Sequence, residues 1–118
     1  MDKVKIYHNP RWGKSRESVK ILENSGLEFE IIDYINTPPT SDELQSIAKK
    51  LDLRPKDFIR SRESVFKELD LKLMLENDKI LFQHMFENPK LIERPIIVKG
   101  TQAVLGRPPE KIKELLDM

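Results

Sequence analysis

The sequence predicts an α/β domain on a four-stranded mixed sheet, in the order β-α-β, helical insertion, β-β-α. Three observations lead there. Two short apolar segments, residues 3–8 and 27–34, flank a helical stretch of about ten residues, the spacing of a right-handed βαβ unit with parallel strands. Residues 36–88 read as a run of helices and turns. Residues 94–99 and 102–105 are two apolar strands separated only by a tight Gly100-Thr101 connection, which makes them an antiparallel hairpin.

The elements follow in order. Lys3-Val4-Lys5-Ile6-Tyr7-His8 is the first strand. Asn9-Pro10 marks a turn, Gly13 permits an unusual backbone, and Ser15 is placed to cap a helix that runs to about Ser25. Val19, Ile21 and Leu22 should face the sheet. Gly26 is a C-cap, and Phe29, Ile31 and Ile32 suggest a mostly buried second strand. Pro38-Pro39 breaks the chain, and Thr40 with Glu43 forms a capping box for a helix to about Lys50, with Leu44, Ile47, Ala48 and Leu51 on one face. Pro55 starts a short helical turn through Ile59. Residues 63–69 form another. Asp78 caps a helix to about Glu87 that buries Leu81, Phe82, Met85 and Phe86. After the hairpin, Pro108 or Pro109 opens a last helix with Ile112, Leu115 and Leu116 as its apolar stripe.

Composition narrows the function classes. A chain of 118 residues is expected to form a single domain, 1–118. Its 21 basic and 20 acidic side chains give a formal charge of +1, so nothing draws it as a whole to nucleic acid or to a membrane. There is no cysteine, which excludes disulfides, thiolate chemistry and cysteine metal sites. The two histidines, His8 and His84, are too far apart in sequence for metal-ligand spacing, and His84 reads as structural. No cofactor is expected. The N-terminus has no long apolar run, so no signal peptide or membrane span is expected, and a cytoplasmic location is the expectation.

The first sixteen residues carry the chemistry. A strand, a turn and a helix N-terminus in succession present free backbone N–H groups, and Lys14 and Arg16 add positive charge beside them. The stretch Tyr7 to Arg16 resembles the active-site loop of the glutaredoxin-dependent arsenate reductases. That pattern has a tyrosine, a polar residue, Asn-Pro, two variable positions of which the second is the catalytic cysteine, then Gly-x-Ser-Arg. Trp12 stands at the cysteine position, and the rest of the pattern is intact. The likeness extends along nearly the whole chain: Arg60 before Phe66-Lys67-Glu68-Leu69, Arg94-Pro95-Ile96-Ile97-Val98, and Leu105-Gly106-Arg107-Pro108. It implies a thioredoxin-like fold, which the element order also matches, with Pro95 cis and facing the Trp12 loop.

The resemblance also implies roles. Arg60, Arg94 and Arg107 would surround the cysteine position and clamp a tetrahedral oxyanion through paired, charged hydrogen bonds, with Gly13, Lys14, Ser15 and Arg16 as the helix end of the same anion site. His8, Asn9 and Pro95 would support the loop, with His8 a hydrogen-bonding strand-end residue. An indole supplies no nucleophile for arsenate reduction. For Trp12 two roles stay open, a stacking or capping surface for a ligand or partner and an aromatic that fills part of the pocket. Arg54, Lys56, Arg60, Arg62 and Lys67 form a local basic group, and residues 59–70 also resemble the Spx-type regulators, which bind the RNA polymerase alpha subunit. Three classes of function follow: a thiol oxidoreductase by family, a redox-inactive protein with an arginine-lined oxyanion pocket, and a regulatory module with a protein partner such as RNA polymerase alpha or a glutaredoxin. Chemistry puts the second first.

Overall fold

A computed structural model describes residues 4–8, 13–106 and 110–116, without the side chains of 13–15 and 110. The elements run β1 (Val4–His8), α1 (Gly13–Ser25), β2 (Phe29–Asp33), α2 (Ser41–Leu51), α3 (Pro55–Phe58), α4 (Ser64–Glu68), α5 (Asp78–Glu87), β3 (Ile96–Lys99), β4 (Gln102–Leu105) and α6 (Glu110–Leu116). The chain divides into two compact units, Met1–Thr37 with Arg94–Met118, and Pro38–Glu93. No helix among the described residues is long and apolar enough to cross a membrane.

The first unit holds the sheet, in the order β2-β1-β3-β4. β1 and β2 are parallel, and β1–β3 and β3–β4 are antiparallel. This is the thioredoxin-like arrangement expected. Alternation decides which side chains meet the helices. Val4 and Ile6 of β1 and Ile97 of β3 share one face, where they pack with Leu22 of α1 and Ile112 and Leu115 of α6. Val19, Ile21 and Leu116 are partly buried against the same cluster.

Several boundaries differ from the sequence reading. α1 begins at Gly13, so Ser15 lies inside its first turn instead of capping it. β2 is shorter than 27–34 and is not mostly buried: Ile31 is 49% exposed, on an edge strand whose ladder partner is β1. β3 begins at Ile96 and not at Arg94, since Pro95 has no N–H to extend the ladder. The Arg94–Pro95 peptide bond is cis. Gly26 follows α1 with φ 76°, as a C-cap requires. The start of α6 at a proline lies outside the described residues.

The second unit packs α2 and α3 against α5, with Leu44, Ile47, Phe58, Leu81, Phe82 and Met85 in its interior. Thr40 caps α2 by accepting from the Glu43 N–H at 3.2 Å. The capping box is only half made, because the Glu43 carboxylate takes the Thr40 hydroxyl at 3.4 Å. Asn77, not Asp78, caps α5: its side chain accepts from the Ile80 N–H at 3.2 Å, and Asp78 is the first helical residue. Phe86 is half-buried. Two short 3-10 turns, Leu71–Met74 and Pro89–Leu91, were not legible as periodic segments.

Just past β4, Gly106 permits a close approach. A Cβ there would sit 2.7 Å from Pro95 Cγ, 2.9 Å from Ile97 Cδ1 and 3.2 Å from Ser18 Oγ. Gly106→Ala should therefore destabilise the protein by about 1–3 kcal/mol, as overpacking of a filled site does. Denaturant unfolding at equal m-value checks this; an unchanged midpoint would show that Pro95 and Ile97 give way freely.

Candidate functional site at the end of the sheet

The first unit brings several predicted residues to one end of the sheet. His8 pairs with Asp33 across the parallel ladder. The antiparallel ladders end at Tyr7–Ile96 and Ile96–Leu105, so the next positions outward are His8, Pro95 and Gly106. The Gly106 N–H donates to the Pro95 carbonyl at 2.8 Å, which continues that row beyond the strands. Asp33, His8, Pro95 and Gly106 thus form a transverse line across the sheet. Arg94 directly precedes this line. The position of Arg107 directly after it is a matter of sequence, since Arg107 lies outside the described residues, as do Asn9 and Trp12.

The parity of β1 sets His8 on the face of Val4 and Ile6, the one covered by α1. A helix that follows its strand runs back over the sheet, so the outer end of that face lies beside the first turn of α1. The nearness of Ser18 Oγ to the Gly106 position agrees with this. That first turn contains no acidic residue and carries Lys14 and Arg16. Cations at a helix N-terminus oppose the macrodipole by about 0.3–1 kcal/mol each. The dipole and the free N–H groups of a helix N-terminus favour negative charge.

His8 is buried, at 6% exposure, and its Nδ1 has no hydrogen-bond partner among the described residues. The expected strand-end hydrogen bond is therefore not made by that nitrogen. Burial holds the imidazole below its ordinary range; the Asp33 carboxylate opposes this and Arg16 adds to it. The Asp33 carboxylate is itself engaged, accepting from the Ile35 N–H at 3.1 Å and from Asn36 Nδ2 at 2.8 Å. Arg94 is buried and not free. Arg16 is exposed. Sequence reasoning missed Asp33 and Ser18, because neither belongs to a motif; only strand register and a helix face bring them here.

Arg60 belongs to the second unit. A single antiparallel bridge, Ile59 with Ile92, holds its backbone, and the Arg60 N–H donates to the Leu91 carbonyl at 2.7 Å. Its Nε donates to Glu63 Oε1 and its Nη1 to Glu93 Oε1, each at 3.2 Å. Two carboxylates thus already engage this guanidinium. Two other members of the basic group are likewise paired: Arg54 with Glu76 and Asp78 at 2.8 Å each, and Lys56 with Glu76 at 2.9 Å, while Arg62 and Lys67 are exposed. Hydrogen bonds from Lys56 and then Arg54 hold the Glu76 carboxyl below its usual range. No signal in the sequence paired these charges, since their partners lie far along the chain. Elsewhere in this unit an open depression of about 620 Å³ is lined by Ala48, Leu53, Arg54, Pro55, Asp78 and Phe82, among others, and contains none of the predicted site residues. Among the described residues no three His, Asp or Glu side chains form a metal-holding group.

A family model described as "ArsC family" matches residues 7–115. The chain is 41% identical over 114 residues to an arsenate reductase of Haemophilus influenzae, covering 96% of both chains. It is equally identical over 114 residues to the uncharacterized protein YfgD of Escherichia coli, with 96% of each covered. A solved arsenate reductase structure from Vibrio cholerae superposes with a TM-score of 0.91 at 44% identity, over 96% of this chain and 97% of that one.

The His8 environment predicts a pH dependence of stability. A lowered folded-state value means that the unfolded chain, titrating near 6.5, binds the proton more readily. The contribution of His8 is therefore complete above about 6.5 and declines as pH falls toward the folded-state value. His8→Gln should flatten this part of the stability profile between about pH 5 and 7; denaturant midpoints measured across that range check it, and an unchanged slope would count against it.

Proposed function

The chain belongs to the ArsC family and lacks its nucleophilic cysteine, and from that premise we propose that it is a redox-inactive arsenate-reductase-like protein that keeps an arginine-lined oxyanion pocket. The observation that carries the redox half is chemical. Reduction through a thiol adduct needs a sulfur nucleophile, and no residue of the chain supplies one. An indole at position 12 has neither a nucleophilic lone pair nor a thiol-type redox couple.

The pocket half is supported by the first turn of α1, whose sequence holds Lys14 and Arg16 and no acidic residue at a helix N-terminus. Buried Arg94 beside Pro95 fits the same reading, and the resemblance adds Arg107 and Arg60. Arg60 is already engaged by Glu63 and Glu93 within its own unit, so its contribution to affinity is the smaller one. Several relatives bear the name arsenate reductase, which makes arsenate and its structural mimics phosphate and sulfate the anions to test. Pairing of Arg54, Lys56 and Arg60 with carboxylates in the second unit weakens the regulatory reading.

Titration with arsenate, phosphate and sulfate should give saturable binding that Arg94→Ala weakens about tenfold or more, the loss of one or two charged hydrogen bonds; Arg60→Ala should weaken it less. Absence of binding in the wild type would discard the pocket, and copurification with RNA polymerase alpha would then favour the regulatory class. No arsenite should form with glutathione and glutaredoxin present, and turnover above a no-enzyme control would refute inactivity. In Trp12→Cys, the helix end and its cations should draw the thiol below its ordinary value of about 8.5; titration at that ordinary value would show the site to be uncharged.

A further inference from the structure

The group at the candidate site whose bonding is incomplete is His8. Its side chain is more than nine-tenths buried, its Nδ1 has no hydrogen-bond partner, and strand parity aims it at the face where α1 begins. A buried polar nitrogen left unpaired is destabilising, and native interiors keep few of them. We propose that His8 makes oxyanion binding proton-linked: its Nδ1–H donates to the anion held at the α1 N-terminus, and the imidazole takes up one proton from solvent as the anion arrives. This rests on the oxyanion reading above and adds to it a regulation by pH.

The charges around His8 allow such a link. Asp33 faces it from β2 and favours the protonated ring, while Arg16 on α1 disfavours it. On the β3 side the neighbouring positions along the row, Pro95 and Gly106, carry no charge, and the buried cation Arg94 directly precedes Pro95. Desolvation outweighs the Asp33 carboxylate in the free protein, so the ring is neutral there at neutral pH. A bound dianion brings two negative charges close to the ring and reverses the balance. Linkage then fixes the sign: an anion that promotes protonation binds more tightly as pH falls. Sulfate is the informative probe, because its own charge is constant over the range in which histidine titrates.

The experiment is sulfate titration of the full chain by calorimetry from about pH 6 to 8.5 at constant ionic strength, in buffers of different ionisation enthalpy. The expected result is an affinity that falls as pH rises, by at most about tenfold per pH unit for one linked proton, with proton uptake approaching one per sulfate. His8→Gln should bind sulfate with a flat pH profile and no uptake. A second readout needs no substitution at the site: histidine NMR in the His84→Gln background should show the His8 titration moving upward when sulfate is added. Saturable sulfate binding with no pH slope, no proton uptake and no shift of His8 overturns the proton link and leaves the pocket standing. Failure to bind sulfate at any of these pH values overturns both. Equal slopes in wild type and His8→Gln assign the proton to another group and overturn the role of His8.

Discussion

The hydrogen bond from the Gly106 N–H to the Pro95 carbonyl, 2.8 Å long, closes the end of the sheet. Proline cannot continue a ladder through its own nitrogen, so its carbonyl is the backbone group it offers at this edge. Gly106 reaches that carbonyl because it has no side chain; Pro95, Ile97 and Ser18 fill the space a Cβ would need. The contact ties the entry to β3, the exit from β4 and the first half of α1 together. Arg94 stands before this closure, and the chain continues into Arg107 after it.

The other constraint is the two-residue period of β1. Val4 and Ile6 are fixed in the core by Leu22, Ile112 and Leu115, and that fixes where the following even position points. His8 is thereby buried on the α1 face whether or not it has a hydrogen-bond partner. Register with β2 brings Asp33 beside it. The hydrophobic core thus sets the electrostatic setting of a titratable group at its rim, and the imbalance at that rim is the physical basis of the proposed oxyanion chemistry.

The second unit shows the opposite disposition of charge. Arg54, Lys56 and Arg60 are basic in sequence and neutralised in space by Glu76, Asp78, Glu63 and Glu93. The pairs of Arg54 and Lys56 are solvent-exposed and contribute little individually; those of Arg60 are better shielded, with its side chain 15% exposed. A run of positive residues is therefore a poor guide to a binding surface where acidic residues such as Glu76, Asp78 and Glu93 return to it from twenty or more positions away.

Much of the fold was legible in the sequence because short-range rules govern it. Apolar runs at strand length, Gly26 after α1, Thr40 before α2 and the tight turn before β4 each act over a few residues. Motif resemblance likewise named Pro95 and the arginines, and the lack of cysteine settled the missing nucleophile by composition alone. Residue patterns could not show that β2 is the edge strand, that Asn77 and not Asp78 caps α5, or that Gly106 is a packing contact. Those outcomes depend on which segments meet across the fold, and local preference is nearly indifferent to them. The placing of His8 beside Asp33 and of Glu93 on Arg60 belongs to the same class: each is decided by residues distant in sequence, so only the tertiary structure determines it.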